Sequence, residues 1–371
     1  MSAPTVKFNT QDRPEFYTEL KKRVNGYFKE NNISKHANNT MRFKTVFMIS
    51  LYFIPFILMI TGTIVGLWPT IVMWTLMGFG MSGIGLSIMH DANHDAYSKN
   101  RKVNNFLGFI IHIVGGSRKN WKIQHNVLHH SYTNVDDHDK DLEYPFLRMS
   151  STQKRKGIHK YQAYYAPVLY ALMTVYWSLA KDFEDLIVFH RMKLLSTQNL
   201  TFKKALMQII FNKIWYFGLV LVLPLIFIEL PWYQVVAGFL LMHSICGLAL
   251  ALIFQSAHVI EETNVYAVNE DGGLENNWAI HQMNTTANFA NNSSFFSWFI
   301  GGLNFQIEHH LFPNICHVHH KKLSKIVKST AQEFNVPYHE HKTFISVLRS
   351  HFKRLSQLGS EKFDHEITQA A

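Results

Sequence analysis

Cysteine is nearly absent from this chain. Cys246 and Cys316 are the only two in 371 residues, and no CxxC pair exists. That excludes a disulfide framework and a cysteine-built zinc site, and it fits a cytosol-facing protein. The zinc-hydrolase motif HExxH does not occur. No nucleic-acid motif accompanies the net charge of +10. The first 43 residues are polar and of mixed charge with no early apolar core, so no signal peptide is expected there. Internal repeats and low-complexity linkers are lacking, apart from a repeated apolar hairpin. Charge itself is nearly missing from four long stretches, and that absence organises the rest.

A mean hydropathy of −0.04 conceals strong segregation. Residues 46–67, 71–89, 207–230 and 235–254 are apolar runs of the length, about 20 residues, that crosses a hydrocarbon core. They pair as two hairpins, with turns expected at Trp68-Pro69 and Pro231-Trp232. Lys213, near the start of the third run, is expected to snorkel to the headgroups. The apolar pieces 106–116 and 295–303 are too short to span and read as interfacial or re-entrant. Residues 161–180, rich in tyrosine, read as an amphipathic interfacial helix. The two hairpin turns carry no Lys or Arg. Apart from Lys44 and Lys213, the basic residues fall in the N-terminal arm, the central segment and the C-terminal region, so these face the cytoplasm by the positive-inside rule. The expectation is an all-α membrane protein: four transmembrane helices in two hairpins, with a cytosolic helical cap that holds a di-metal site and both termini on the cytoplasmic side. Residues 1–43 form a polar arm with an amphipathic helix over 14–31, lying on the protein or the membrane surface. Residues 44–320 form the membrane domain. Residues 321–371 form a cytosolic tail, with a helix over 319–334 finishing the cap.

The histidines carry the chemistry. There are 22, and three tight clusters stand beside the apolar runs: His90-Asp91-Ala92-Asn93-His94, His125-Asn126-Val127-Leu128-His129-His130 and Gln306-Ile307-Glu308-His309-His310. Side chains three or four residues apart share one face of a helix, and neutral imidazole is the commonest metal ligand. His258, at the exit of the fourth run, and Gln306 extend the candidate ligand set. His112 and His243 read as packed histidines. His281, His317, His319 and His320 read as surface or supporting residues. Asp91, Asp95 and Glu308 are placed to orient imidazoles by accepting their N–H bonds, with ordinary surface exposure the alternative for Asp95. The acidic run at 136–141 reads as a solvated loop. Eight imidazoles exceed the three or four that one zinc takes and suit two metal ions. Nitrogen-rich ligation with open positions fits iron that activates oxygen. A histidine-rich metal-binding or transport protein is the alternative from another class, although transport sites lie near the bilayer midplane and these clusters stand at span exits.

The three motifs HDANH, HNVLHH and QIEHH, in this order and with these hairpins between them, resemble the three histidine boxes of the membrane fatty-acid desaturases over about residues 44–320. Gln306, within Asn304-Phe305-Gln306-Ile307-Glu308-His309-His310-Leu311-Phe312-Pro313, and the upstream stretch 282–289 resemble the front-end subgroup, which inserts a double bond between an existing one and the carboxyl end. The resemblance implies His90, His94, His125, His129, His130, His309 and His310 as ligands, with His258 matching an extra histidine by position. It implies two ferrous ions and O2 as co-substrate. The reaction would be dehydrogenation of an acyl chain carried on CoA or on a phospholipid of the membrane. A fatty acyl hydroxylase on the same scaffold is the alternative. Many front-end members carry a fused cytochrome b5 domain with an HPGG motif. This chain has no HPGG, so its electrons are expected from a separate ferredoxin, or from cytochrome b5 with its reductase.

Overall fold

In hydrocarbon, a chain can satisfy its peptide groups only within its own helix or in a closed barrel, and here long uncharged runs alternate with amphipathic ones. The structure, a computed structural model, describes residues 6–144 and 146–361. Its helices are α1 (Pro14–Glu30), α2 (Asn39–Ile60), α3 (Leu67–Asn93), α4 (Arg101–Phe109), α5 (residues 118–132), α6 (residues 162–191), α7 (Phe202–Phe227) and α8 (Trp232–His258). The shorter α9 (Trp278–Thr285), α10 (Ser294–Phe299) and α11 (Gln306–Leu311) precede α12 (His320–Glu333) and α13 (Phe344–Gly359). Strand content among the described residues is limited to two-residue pieces in parallel pairs, β1 (Lys7–Phe8) with β2 (Gly273–Leu274) and β3 (Asn288–Phe289) with β4 (Glu340–His341). The chain divides into two units.

The first unit comprises Ala37–Ile123 and Val168–Ala251. Of the four helices long and apolar enough to cross a membrane among the described residues, α2, α3 and α7 belong to it whole and α8 through Ala251. The hairpin turns lie earlier than expected. The first occupies residues 61–66, where Gly62 (φ 67°) and Gly66 (φ 86°) take the left-handed backbone that glycine adopts without strain. Trp68 and Pro69 fall instead in the first turn of α3, where proline's missing N–H costs no helical bond. The second turn is residues 228–231, and Trp232 already starts α8. The two helices of the first hairpin run close together: a Cβ on Gly80 would lie 2.7 Å from the backbone nitrogen of Tyr52. Outward faces remain apolar, with Ile54, Ile57, Phe211, Ile214 and Ile226 all exposed, as lipid contact requires. In α6 one face is buried at four-residue spacing, through Tyr170, Thr174, Ser178 and Asp182. Its length and composition do not qualify it as a span.

Lys213 does not snorkel. Its side chain is buried, and Nζ donates to Asp182 Oδ2 at 2.5 Å, to Gly115 O at 2.6 Å and to Trp177 O at 2.9 Å. The carboxylate and two carbonyls within reach offset the cost of taking the ammonium out of water. His243 is a packed histidine, held between the Tyr216 hydroxyl (2.6 Å) and Thr174 Oγ1 (2.9 Å). His112 is likewise buried, edge-on to Phe109 with ring centroids 4.2 Å apart.

The second unit comprises residues 6–36, 124–167 and 252–361 among those described. Here α1 lies on the protein. Phe16, Leu20 and Val24, spaced four apart, are buried in a core with Ile280 and Met283 of α9, Ile307 and Leu311 of α11, and Leu323 and Val327 of α12. Each such side chain contributes about 2 kcal/mol of burial. The helix expected over 319–334 is α12, whereas α13, started by Thr343 accepting from Ser346 N, had no counterpart in the sequence reading. His317, His319 and His320 are buried, not on the surface. His319 Nε2 donates to His36 O, and His320 Nε2 to Ile315 O, each at 3.2 Å.

Candidate metal centre

The second histidine box lies on α5, whose middle, Lys122–His129, is wound as a π-helix. Wider winding, with i→i+5 bonding, brings residues five apart onto one side as well as residues four apart. His125 and His129 stack with ring centroids 5.3 Å apart, and the Nε2 atoms of His125 and His130 lie 3.3 Å apart. The third box lies on α11, all six residues of which are buried. As neighbours on a helix, His309 and His310 set their rings at 88° to each other, so the pair serves two directions. Ring centroids are 4.6 Å apart for His130 and His309, and 4.4 Å for His130 and His310. His258, the last residue of α8, stands 4.8 Å from both His129 and His310.

His129, His258 and His310 each offer a ring nitrogen, and these atoms lie within 4.8 Å of one another. A second set with the same spacing is His130, His309 and His310, and a third is His125, His129 and Asp141. In the first set every Nδ1 is engaged. His129 Nδ1 donates to Asp139 Oδ2 at 2.9 Å, His258 Nδ1 to Thr285 O at 3.1 Å, and His310 Nδ1 to Gln282 Oε1 at 2.8 Å. Gln282 is oriented by its own Nε2, which donates to His130 O. With the proton fixed on Nδ1, the lone pair sits on Nε2. All three Nε2 atoms are buried and have no hydrogen-bond partner among the described residues. Buried polar atoms are almost always satisfied, so three orphaned lone pairs gathered together are a fit for a metal cation.

The electrostatics agree. Burial, and then the neighbouring His130, His258, His129 and His125, hold His310 well below the ordinary histidine range. Burial also acts downward on His129, but the Asp139 and Asp141 carboxylates outweigh it and raise that residue. A cluster in which His310 resists protons and a buried carboxylate stands behind His129 attracts a cation.

Gln306 opens α11 with its Oε1 buried and without a hydrogen-bond partner among the described residues, an amide oxygen with a lone pair to give. His90 and His94 belong to the first unit. They close α3, just beyond a π-helical turn at Ile84–Ile88, with centroids 4.8 Å apart, and Trp121 stands edge-on to both at 5.7 Å. Glu308 does not orient an imidazole. Its carboxylate accepts from Asn288 Nδ2 (2.8 Å) and the Tyr338 hydroxyl (3.1 Å), and burial pushes it up to about 7. Asp95 is exposed with φ 58° and accepts from Asn104. Asp91 is buried. His281 Nε2 donates to Thr133 O at 2.6 Å and so supports the loop after the second box.

Asp139 is the residue that sequence reasoning missed. It lies in the acidic run expected to be solvated, yet it is 2 % exposed and accepts from His129 Nδ1 and from Asn134 N. The run holds four aspartates at 136–141, and nothing local marks the one that turns inward. Thr133 and Thr285 were missed for the same reason, since a backbone carbonyl or a hydroxyl acquires its role only from the fold.

The family model described as fatty acid desaturase matches residues 66–342. The sn-1 linoleoyl-lipid 6-desaturase of Synechocystis sp. is 34 % identical over 364 residues, covering 97 % of this chain and 99 % of the relative. The enzyme of the same name from Arthrospira platensis is 32 % identical over 361 residues, covering 96 % of each. The acyl-lipid (8-3)-desaturase of Physcomitrium patens is 34 % identical over 370 residues, 97 % of this chain and 75 % of the relative. With a family match across most of its length, and four apolar helices of spanning size, this chain belongs to the fatty acid desaturase family and is a membrane enzyme that introduces double bonds into fatty acyl chains.

Proposed function

We propose that the chain is a front-end desaturase acting on acyl chains esterified in membrane lipids, with two iron ions held by its histidine boxes. One observation carries the metal reading: the buried, unpartnered Nε2 atoms of His129, His258 and His310, each on a ring whose Nδ1 is already spent. His130 and His309, together with His125, supply donors for the second ion. For His90 and His94 the reading rests on the motif, and for Gln306 on its buried amide oxygen. The acyl-lipid substrate and the front-end regiochemistry are supported by the names of the relatives, which act at position 6 of a linoleoyl lipid or as (8-3)-desaturases, and by the QIEHH form of the third box.

Bound iron supplies the oxygen-dependent oxidation that takes two hydrogens from adjacent methylenes. What the chain's own residues contribute is placement. Asp139, Thr285 and Gln282 lock three imidazoles in one tautomer and one orientation, and the rings' burial keeps bulk water from them. Neutral imidazoles would leave the charge of a bound cation largely uncompensated, and Asp139 would offset part of it through His129. The two electrons per turnover come from a separate ferredoxin, or from cytochrome b5 with its reductase. The charge pattern supports a cytoplasmic placement of the span ends at residues 39, 93, 202 and 258, since the opposite turns lack Lys and Arg.

The test is expression in a host of simple lipid composition, feeding of linoleate, and location of new double bonds by mass spectrometry. The expected product carries a new bond on the carboxyl side of the existing one, and it disappears in His309→Ala/His310→Ala. A bond placed only in saturated chains would overturn the front-end assignment, and a hydroxylated product would overturn desaturation. Iron content near two per chain, falling in the double variant, is the second readout.

A further inference from the structure

A cluster of cations, with the exposed Asp95 as the carboxylate that acts on it, stands at one end of the spans in the first unit. Arg118 and Lys119 open α5, and Lys122 follows one turn later, on the face of Arg118. All three side chains are half-buried. Arg118 is fixed in place: its Nε donates to Asn93 Oδ1 at 2.6 Å and its Nη2 to Asn105 Oδ1 at 3.0 Å. Asn93 is the last residue of α3, and its Nδ2 donates to Gly108 O of α4 at 3.2 Å. A Cβ on Gly108 would lie 2.9 Å from Arg118 Nε, so the close approach needs glycine there. Neither Lys119 nor Lys122 has a hydrogen-bond or ion-pair partner among the described residues.

Their surroundings are mostly cationic. Burial, then Arg118, Lys204 and Arg101, depress the Lys119 ammonium. Burial, opposed by Asp95, and then Arg118, Lys119 and Arg101, depress that of Lys122. Asp95 acts on Arg118 and Lys122 from an exposed position without forming an ion pair to either. Withdrawing an ammonium from water among like charges is unfavourable unless an anion comes with it.

The level of the cluster says where the anion comes from. Arg118 holds the residue that ends α3, and Lys204 is the third residue of α7, so the cations lie where two spans leave the hydrocarbon. Beside them α4 carries Val103, Phe106 and Phe109, which are 36 %, 73 % and 56 % exposed. This is the apolar edge of a helix lying at an interface. Cations with adjacent exposed aromatic rings match a molecule that has an anionic head and an apolar body.

We propose that Arg101, Arg118, Lys119, Lys122 and Lys204 form a binding site for the anionic headgroup, phosphate or sulfonate, of a membrane lipid whose chains lie against Phe106 and Phe109. The test of this site reads binding alone. Purified full-length protein in a neutral detergent is titrated calorimetrically with dioctanoyl phosphatidylglycerol, with dioctanoyl phosphatidylcholine and with sodium phosphate. Saturable binding of the phosphatidylglycerol is expected, at least about tenfold tighter than that of the phosphatidylcholine. It should weaken about fivefold for each lysine lost in Lys119→Gln/Lys122→Gln and persist in Lys119→Arg/Lys122→Arg. Equal affinity for the two lipids, or unchanged affinity in the glutamine variant, overturns the proposal. Displacement of the lipid by sodium phosphate at equal concentration does so too, because the site would then take a free anion. Should the double variant fail to fold, Lys204→Gln at an exposed position decides: a loss of about fivefold supports the site, and no loss overturns it.

Discussion

Asp139 shows how much of the proposed metal site resides in residues that would touch no metal. A carboxylate 2.9 Å from His129 Nδ1 fixes the ring and makes its far nitrogen a better donor. Asp139→Asn keeps an acceptor in place but removes the charge. It should lower iron affinity by about 10- to 100-fold, read by titrating iron into metal-stripped protein; unchanged affinity would mean that the aspartate serves only the loop. A second buried group contributes to the behaviour in acid. His351 of α13 is fully buried, with Nδ1 on Val259 O at 2.7 Å, and burial lowers it from 6.5 to about 4. The folded protein keeps this ring neutral where the unfolded chain has already taken a proton. Its contribution to stability is therefore present above pH 6.5 and is lost as the pH falls towards 4. The melting temperature should fall across that window. His351→Gln, which cannot protonate, should flatten the fall by up to about 3 kcal/mol, while an equally steep profile in the variant would place the acid sensitivity elsewhere.

Among the elements, the helices that carry the first two histidine boxes depart from regular α geometry, as α6 and α7 also do at Trp177–Lys181 and Gly218–Val222. The π-helical turn in α3 directly precedes His90, and that in α5 runs through His125 to His129. Insertion of one residue into the helical repeat costs backbone regularity, and in α5 it brings His130 to His125. The spans are held by different means. Lys213 of α7 and Asp182 of α6 form a buried pair, and the carboxylate also accepts from Ser117 N at 2.9 Å and Trp177 Nε1 at 3.1 Å. Removing one partner strands the other charge. Lys213→Met should therefore destabilise the protein by about 3–5 kcal/mol, seen as a lower midpoint in thermal unfolding in detergent. A lysine that merely snorkelled would be replaced at almost no cost, so an unchanged midpoint would restore that view.

For the whole molecule, the arrangement of spans makes a prediction about sidedness. Cys246 and Cys316 are both buried, so labelling of an introduced cysteine meets little background. Thr63→Cys, in the first hairpin turn, should react with a membrane-impermeant maleimide added to intact spheroplasts, whereas Ser196→Cys, before α7, should react only after permeabilisation. The reverse pattern would invert the topology. The four spans, their pairing, the three boxes and the desaturase family were all legible in the sequence. Uncharged length and histidine spacing are local properties, and a helix obeys them wherever it lies. The ends of the spans were misplaced by several residues, because Trp68-Pro69 resembles a turn and yet fits the first turn of a helix. Tertiary structure alone decided which aspartate of the run at 136–141 supports His129, that Glu308 answers to Asn288 and Tyr338, that Lys213 stays inside, and that α1 packs into a core. Each of these depends on which residues distant in the chain the fold brings into contact, and a hydrogen bond, a buried ion pair or a core contact has no signature until both of its ends are in place.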